Sequence, residues 1–316
     1  MLMKNLIFDG HNTFLRNYAV NPAMDNNGNA IGGIIGTIRS VKSMIAETKA
    51  DRVYFVWDGP GGSKKRRGIF AEYKAGRKVR LNREFEAGDV KENANNMHEQ
   101  MERVKPLLRF LGVTQIEIDD IEADDAIAYL VGCLEHSQSV LVSSDKDMWQ
   151  LVSDDLSIYW PVKKVYITGK TMEADGCLPG NWIYVKALLG DNSDNIDGVK
   201  GIGPVTIKKL FPEFSQRTFS LAEFFQLVED RAKEHNKART ILEAKELVRR
   251  NVDLMQLSSP VISSTSASVI RNALDVKPVF NFTGFKLAML NQGIQLTDSD
   301  LISTFRMYQM RSEHVA

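Results

Sequence analysis

Eleven residues, IDDIEADDAIA from Ile118 to Ala128, hold five carboxylates: Asp119, Asp120, Glu122, Asp124 and Asp125. Two carboxylates about 4 Å apart repel by about 4 kcal/mol at an effective dielectric of about 20. The N-terminus of a helix returns only about 0.3–1 kcal/mol per anion. Repulsion wins unless protons or cations intervene. With no His or Cys beside these acids, the ligand chemistry is oxygen, which selects a hard dication, Mg²⁺ or Mn²⁺. Asp124 precedes Ile127 and Val131 at helical spacing and extends the core-facing stripe, whereas Glu122 and Asp125 share a neighbouring face.

Asp9, Asp58 and Asp145 each follow an apolar run, in KNLIFD, RVYFVWD and SVLVSSD. Asp is also a common turn and cap residue. Three such acids together with the 118–128 cluster point instead to a shared site, because ligands bind at the carboxyl ends of parallel strands in open α/β sheets. Asp147 follows Asp145. A second string, LLGDNSDNIDGVKGIGPVTIKKL, adds Asp191, Asp194 and Asp197, and its spacing brings Asp191 and Asp194 within reach of one ion on a turn.

The elements that must position these acids are legible from periodicity. KNLIFDG, RVYFVWDG and SVLVSSDKDMW read as buried strands, Ile116–Ile118 as a short strand, and LSIYW with KVYIT as a strand pair. Ala30–Lys49, Asn95–Leu111 and the segment after Ile121 read as helices. Strands alternating with helices imply an α/β domain with a largely parallel sheet. From about Pro179 the pattern turns helical, with short helices at 181–190 and 204–211, mostly helix over 222–251, and two more helices within 282–310. SSPVISSTSASV reads as loop or edge. The expected division is residues 1–178 and 179–316.

Two further segments suit nucleic acid. After Asp58 the chain becomes basic, with Lys64, Lys65, Arg66, Arg67, Lys74, Arg77 and Lys78, interleaved with Phe70 and Tyr73. Cations meet phosphates, and aromatics stack on unpaired bases. In GVKGIGPVTIKKL, Gly198, Gly201 and Gly203 let backbone approach a phosphate. Ile207 and Leu210 face inward, with Lys208 and Lys209 outward, as in helix-hairpin-helix elements that grip duplex backbone.

Bulk composition discriminates little. Across 316 residues, 40 Lys and Arg balance 40 Asp and Glu, so only charge distribution can indicate partners. Two cysteines make neither a disulfide framework nor a metal pair. The short N-terminal apolar run, interrupted by Asp9, does not read as a signal peptide, and no stretch reads as a membrane span, so a cytoplasmic setting is expected.

FDGHN, VWDG, RRGIFAEYKAGR, IEADDAIA, SSDKDMWQL and GDNSDNIDGVKGIGPVTIKKL stand in the order found in structure-specific 5′ nucleases. The chain resembles bacteriophage-type 5′–3′ exonucleases and flap endonucleases. It is also similar to the 5′ nuclease domain of bacterial DNA polymerase I. These motifs span residues 5–210, and ELVRRNVDLMQL is similar to the family's Arg-Asn segment. The resemblance implies a PIN-like core, a helical arch at about 60–105 and a helix-3-turn-helix at about 185–215. It implies one metal cluster on Asp9, Asp58, Glu122, Asp124 and Asp125, and another on Asp145, Asp147, Asp191 and Asp194. Lys74 and Arg77 match arch residues at the scissile phosphate, with Tyr73 beside them. A backbone-bound K⁺ at the hairpin is compatible with it.

The expected activity is two-metal hydrolysis of phosphodiesters in branched or 5′-ended DNA, with a role in replication or primer removal and with replication proteins as further partners. A monomer without membrane association is expected. The alternatives are a PIN-type ribonuclease, a non-catalytic module for branched DNA, and an α/β protein whose metal is structural.

Overall fold

The computed structural model describes residues 2–76, 90–260, 262–295 and 300–315. Arg77 and Lys78, with the middle of the expected arch, lie outside the described residues.

Strand β1 (Lys4–Asp9) leads into α1 (Gly10–Val20) and α2 (Gly32–Thr48), then β2 (Arg52–Asp58) and a short α3 (Lys64–Ile69). A long α4 (Val90–Phe110) precedes β3 (Thr114–Ile118), α5 (Ala123–Cys133), β4 (Gln138–Val142), β5 (Leu156–Trp160) and β6 (Val165–Ile167). The sheet runs β3-β2-β1-β4-β5-β6, with every pairing parallel except β5 with β6. Strand order reverses between β1 and β4, which creates a crevice at the carboxyl end of β1, where Asp9 sits. Gly10 is required there, since a Cβ would stand 2.6 Å from the Val56 carbonyl oxygen and 2.9 Å from the Trp57 ring. Its absence lets α1 start hard against β2.

The central strands β1 and β2 carry unbroken apolar runs, Leu6–Phe8 and Val53–Trp57, because both their faces are covered. On one face Phe8 and Phe55 pack with α1, α2 and α4; on the other Ile7, Val56 and Leu141 pack with Ile127 and Leu130 of α5.

Beyond the sheet come α6 (Gly169–Ala174), α7 (Trp182–Leu189) and α8 (Pro204–Leu210). The 222–251 stretch is three helices: α9 (Leu221–Ala232), α10 (Asn236–Glu243) and α11 (Lys245–Met255). Helices α7 to α11 enclose a third core around Phe211, Phe214 and Phe224.

The chain then returns to the sheet through α12 (Ser264–Asp275), α13 (Phe282–Asn291) and α14 (Leu301–His314). Here the structure corrects the loop reading of SSPVISSTSASV for its second half, which from Ser264 onward is helix. Ser263 caps α12 by accepting from the Ser266 N–H, and Ser266, Ala267 and Ile270 are buried against β3 and α5. Small hydroxyl residues fit a tight helix–sheet contact, so polarity here marks close packing. No helix among the described residues is long and apolar enough to cross a membrane.

Candidate active site and metal-binding residues

The strand-end acids are fixed by hydrogen bonds that reach across the sheet edge. Asp9 accepts from the Asn12 N–H at 3.1 Å and from the Ser143 hydroxyl at 2.8 Å. Asp58 accepts from the Ala123 N–H at 2.7 Å, which holds the start of α5 against the end of β2. The Asp145 N–H donates to Ser143 Oγ, and Asp145 Oδ1 accepts from the Asp147 N–H at 2.8 Å. Asn12 Oδ1 accepts from both the N–H and the hydroxyl of Ser144. As a result Asp9, Asp58, Asp124 and Asp145, with His11, Arg16 and Lys74, line one pocket of about 470 Å³.

Their electrostatics record the crowding. Burial first, and then the Asp58 carboxylate, push Asp9 up to about 7. Burial raises Asp124 well above the usual carboxylate range; Asp145 and Asp9 add to the rise and Lys74 opposes it. Burial and Asp145 push Asp147 up to about 7 in spite of Lys186. Each group would ionise more readily beside a cation.

Internal cations already occupy part of this acid set. Arg66 is buried; its Nε donates to the Leu254 carbonyl at 2.8 Å, and Nη1 reaches Glu122 and, at 2.8 Å, Asp125. Lys74 Nζ donates to Glu122 at 2.7 Å, and the Tyr73 hydroxyl donates to the same carboxylate at 3.2 Å. Burial works against both cations, but Asp125 and Glu122 hold Arg66, and Asp124 and Glu122 hold Lys74, above their usual ranges. Arg66 and Tyr73, read from sequence as DNA contacts, are therefore turned inward onto acids rather than presented to a ligand. Lys64, Lys65 and Arg67 are exposed, and Lys64 pairs with Asp120 at 2.7 Å.

Lys74 has φ +54°, the left-handed region that costs a non-glycine residue energy. Its N–H donates to the Asp194 carbonyl at 3.0 Å, while Asn195 Nδ2 donates to the carbonyls of Glu72 and Ala75. The basic segment is thus fastened to the loop that carries Asp191 and Asp194.

Lys186 of α7 lies 2.9 Å from Asp147 and 2.8 Å from Asp191. Sequence reasoning missed it, although a lone lysine inside the apolar run WIYVKALL was the available signal. Burial opposes Asp191 ionisation, but Lys186 and Ser193 outweigh it and hold that group below its usual value. His11 and Arg16 were also missed. His11 lines the acid pocket but accepts from the Asp58 N–H through Nδ1 at 3.0 Å, so it adds no free nitrogen ligand to the oxygen set. That bond places the ring proton on Nε2. Arg16 Nη1 is buried with no hydrogen-bond partner.

Do these residues fit dications? The donor set is hard oxygen, and Asp147 Oδ1 is buried with Lys186 close by but outside hydrogen-bond geometry, an oxygen suited to a cation. Among the described residues no three side chains already close on one point, because Arg66, Lys74 and Lys186 draw carboxylates toward themselves. The residues fit dications that displace or supplement these ammonium and guanidinium groups.

The glycine hairpin lies alongside. A Cβ at Gly198 would stand 2.2 Å from the Leu189 carbonyl oxygen. Buried Asn251 donates to the carbonyls of Ala187 and Asp197, which locks α11 to both ends of the acidic loop. Gly201 has φ +74°, Gly203 precedes α8, and Lys208 and Lys209 are exposed on its last turn.

A doubly wound sheet with an acid-lined crevice, joined to a helical region with a glycine hairpin, defines the resolvase-like nuclease class. A sequence profile described as the 5′-3′ exonuclease, N-terminal resolvase-like domain, matches residues 4–176. The 5′-3′ exonuclease of Buchnera aphidicola subsp. Schizaphis graminum is 31% identical over 217 residues, 66% of this chain and 70% of that protein. The thermostable DNA polymerase I of Thermus thermophilus is 29% identical over 255 residues, 80% of this chain and 28% of that one. The chain thus spans about a quarter of the length of the DNA polymerase I relatives it matches. The structure of the T5 D15 protein co-crystallised with metal ions superposes with a TM-score of 0.68 at 20% identity, covering 86% of this chain and 98% of that one, which shows the shared fold. The chain belongs to the 5′-3′ exonuclease family.

Proposed function

We propose that this protein is a metal-dependent 5′ nuclease that hydrolyses phosphodiester bonds in flapped, nicked or 5′-ended DNA. The observation that carries the reading is the convergence of Asp9, Asp58, Asp124 and Asp145, from separate segments, on one pocket that also holds Lys74. A structural relative supports it, since the T5 D15 flap endonuclease was solved with DNA and metal ions.

Two Mg²⁺ ions, with Mn²⁺ as a substitute, would supply Lewis acidity and a nucleophile usable at neutral pH. Asp9, Asp58, Glu122, Asp124 and Asp125 would hold one, and Asp145, Asp147, Asp191 and Asp194 the other. Lys74, once released from Glu122, neutralises charge on the scissile phosphate, and Arg77 is proposed to do the same. Arg16 offers its unpaired Nη1 to a neighbouring phosphate, and His11 Nε2–H adds a neutral donor on the pocket wall. The hairpin glycines with Lys208 and Lys209 hold the adjoining duplex by its backbone, with K⁺ as a proposed backbone ligand there. Exposed Lys64, Lys65 and Arg67 would meet the phosphates of the 5′ strand, and Lys78 is proposed to do the same. Primer removal in replication follows from the relatives named DNA polymerase I.

The test is a labelled 5′-flap duplex with Mg²⁺, with chelator, and with Asp145→Asn. Cleavage should require the metal and fall by several orders of magnitude in the variant. Undiminished cleavage by Asp145→Asn sinks the assignment. An RNA flap run in parallel should be cut more slowly; preference for RNA would favour a ribonuclease.

A further inference from the structure

A second cavity, of about 400 Å³, lies between the Asp145–Asp147 turn and helix α8. Its volume is within the range of small-molecule sites. The indoles of Trp149 and Trp182 line it, with centroids 4.7 Å apart and planes at 30°, and Ile207 of α8 adds apolar floor. Trp182 is held by donating Nε1–H to the Lys146 carbonyl at 2.7 Å.

The wall carries three ammonium groups against one carboxylate, Asp175. Lys186 is already neutralised by Asp147 and Asp191. Lys146 and Lys208 are exposed, and among the described residues neither has a carboxylate partner. Lys146 Nζ stands 5.9 Å from the Trp149 centroid and 5.6 Å from that of Trp160. The alkyl arm of Lys208 lies over Gly176, whose added Cβ would be 3.7 Å from it. Paired indoles beneath unpaired ammonium groups match a planar aromatic ring carrying an anion.

We propose that this cavity holds one unpaired nucleotide of the bound DNA, its base against the Trp149 and Trp182 wall and its phosphate between Lys146 and Lys208. The inference rests on the reading of DNA as the ligand. A nucleotide in a strand is favoured over a free one because the cavity joins the acid-bearing turn to the hairpin helix. A strand passing from the cutting site to the duplex grip crosses it.

Tryptophan emission reads the site directly, since three of the four tryptophans, Trp149, Trp160 and Trp182, stand together here. The protein, with chelator present, is titrated with 5′-flap duplexes in which each nucleotide around the junction is made abasic in turn. Thymidine monophosphate alone is titrated in parallel. At one position the missing base should abolish the quench and weaken binding about tenfold. Trp149→Leu should erase that sensitivity. Lys146→Ala, an exposed change that spares the fold, should reduce it and lower the salt slope by about 0.7, the value for a single-strand phosphate contact. Indifference to every abasic position, or sensitivity that survives both variants, overturns the proposal. Quenching by the monophosphate without abasic sensitivity also overturns it, in favour of a free-nucleotide site. Cleavage with Mg²⁺, measured on the same duplexes, separates the two readings. Cleavage without abasic sensitivity defeats this inference and leaves the nuclease standing. Sensitivity without cleavage defeats the nuclease and leaves the cavity occupied.

Discussion

Lys74 Nζ stands 2.7 Å from Glu122 Oε1, so the basic segment supplies a counter-ion to the acid cluster from within the chain. A dication that takes Glu122 as a ligand must break this pair. Lys74→Ala should therefore bind Mn²⁺ more tightly in the absence of DNA, while cutting more slowly. A charge-assisted hydrogen bond contributes about 1.5–3 kcal/mol, which sets the affinity gain at about tenfold or more. Calorimetric titration with Mn²⁺ and single-turnover cleavage give the two numbers. Unchanged affinity would remove Glu122 from the ligand set.

The raised carboxyls set a pH dependence for the metal-free protein. Asp9 and Asp147 titrate near 7 in the fold, against an ordinary value of 3.8. Between those values the folded state binds protons that the unfolded chain does not, so stability falls as pH rises. The contribution is complete below about 4 and lost as pH passes through about 7. Metal-free protein should thus melt higher at pH 5.5 than at pH 8. Mg²⁺ should favour the ionised carboxylates and flatten or reverse the slope. Melting curves across pH with chelator check it; a rise in stability from pH 5.5 to 8 would contradict the crowded pocket.

Lys186 bridges Asp147 and Asp191 from a side chain that is itself 9% exposed. Lys186→Met leaves two carboxylates facing each other without their shared cation. Breaking a buried pair in this way costs about 3 kcal/mol. The loss should be largely recovered by Mn²⁺, because the ion takes over the same oxygens. A variant equally unstable with and without Mn²⁺ would show that these acids do not share an ion.

The sheet and its acids were legible because strand ends are local: an apolar run closed by Asp marks Asp9, Asp58 and Asp145 without any knowledge of tertiary contacts. Glu122 and Asp125 do converge, but on Arg66 and not as one helix face, because Glu122 is the extended N-cap of α5. The orientation of the basic segment was not legible. Arg66 and Arg67 are neighbours of the same type, yet one is buried on Glu122 and Asp125 and the other is exposed. That difference is set by α5 and by the Leu254 carbonyl, far away in sequence. Helix α12 failed for a related reason. Its serines signal loop until the close approach of β3 and α5 is known.

Asn251 makes the hairpin's position depend on α11. Its Nδ2 donates at 2.9 Å to the Ala187 carbonyl and at 2.8 Å to the Asp197 carbonyl, with no exposed surface. Arg250 beside it rests over the Phe70 ring, 4.3 Å from the centroid, which ties the same helix to the basic segment. Asn251→Ala removes the donor from the buried Ala187 carbonyl, at about 1–3 kcal/mol before relaxation, and from the part-buried Asp197 carbonyl, where water can replace it. The larger effect should be on DNA, because the loop between Gly190 and Gly203 loses the clamp that fixes its glycine turns. Duplex affinity should fall about tenfold or more if that loop grips phosphate, since 1.4 kcal/mol of lost positioning is enough. Mn²⁺ affinity at Asp9 and Asp58 should hold, as those acids are held by Asn12, Ser143 and Ala123 rather than by the 190–203 loop. Filter binding with chelator, beside Mn²⁺ calorimetry, distinguishes the two. Equal losses in both would mean that Asn251 supports the whole fold rather than the hairpin.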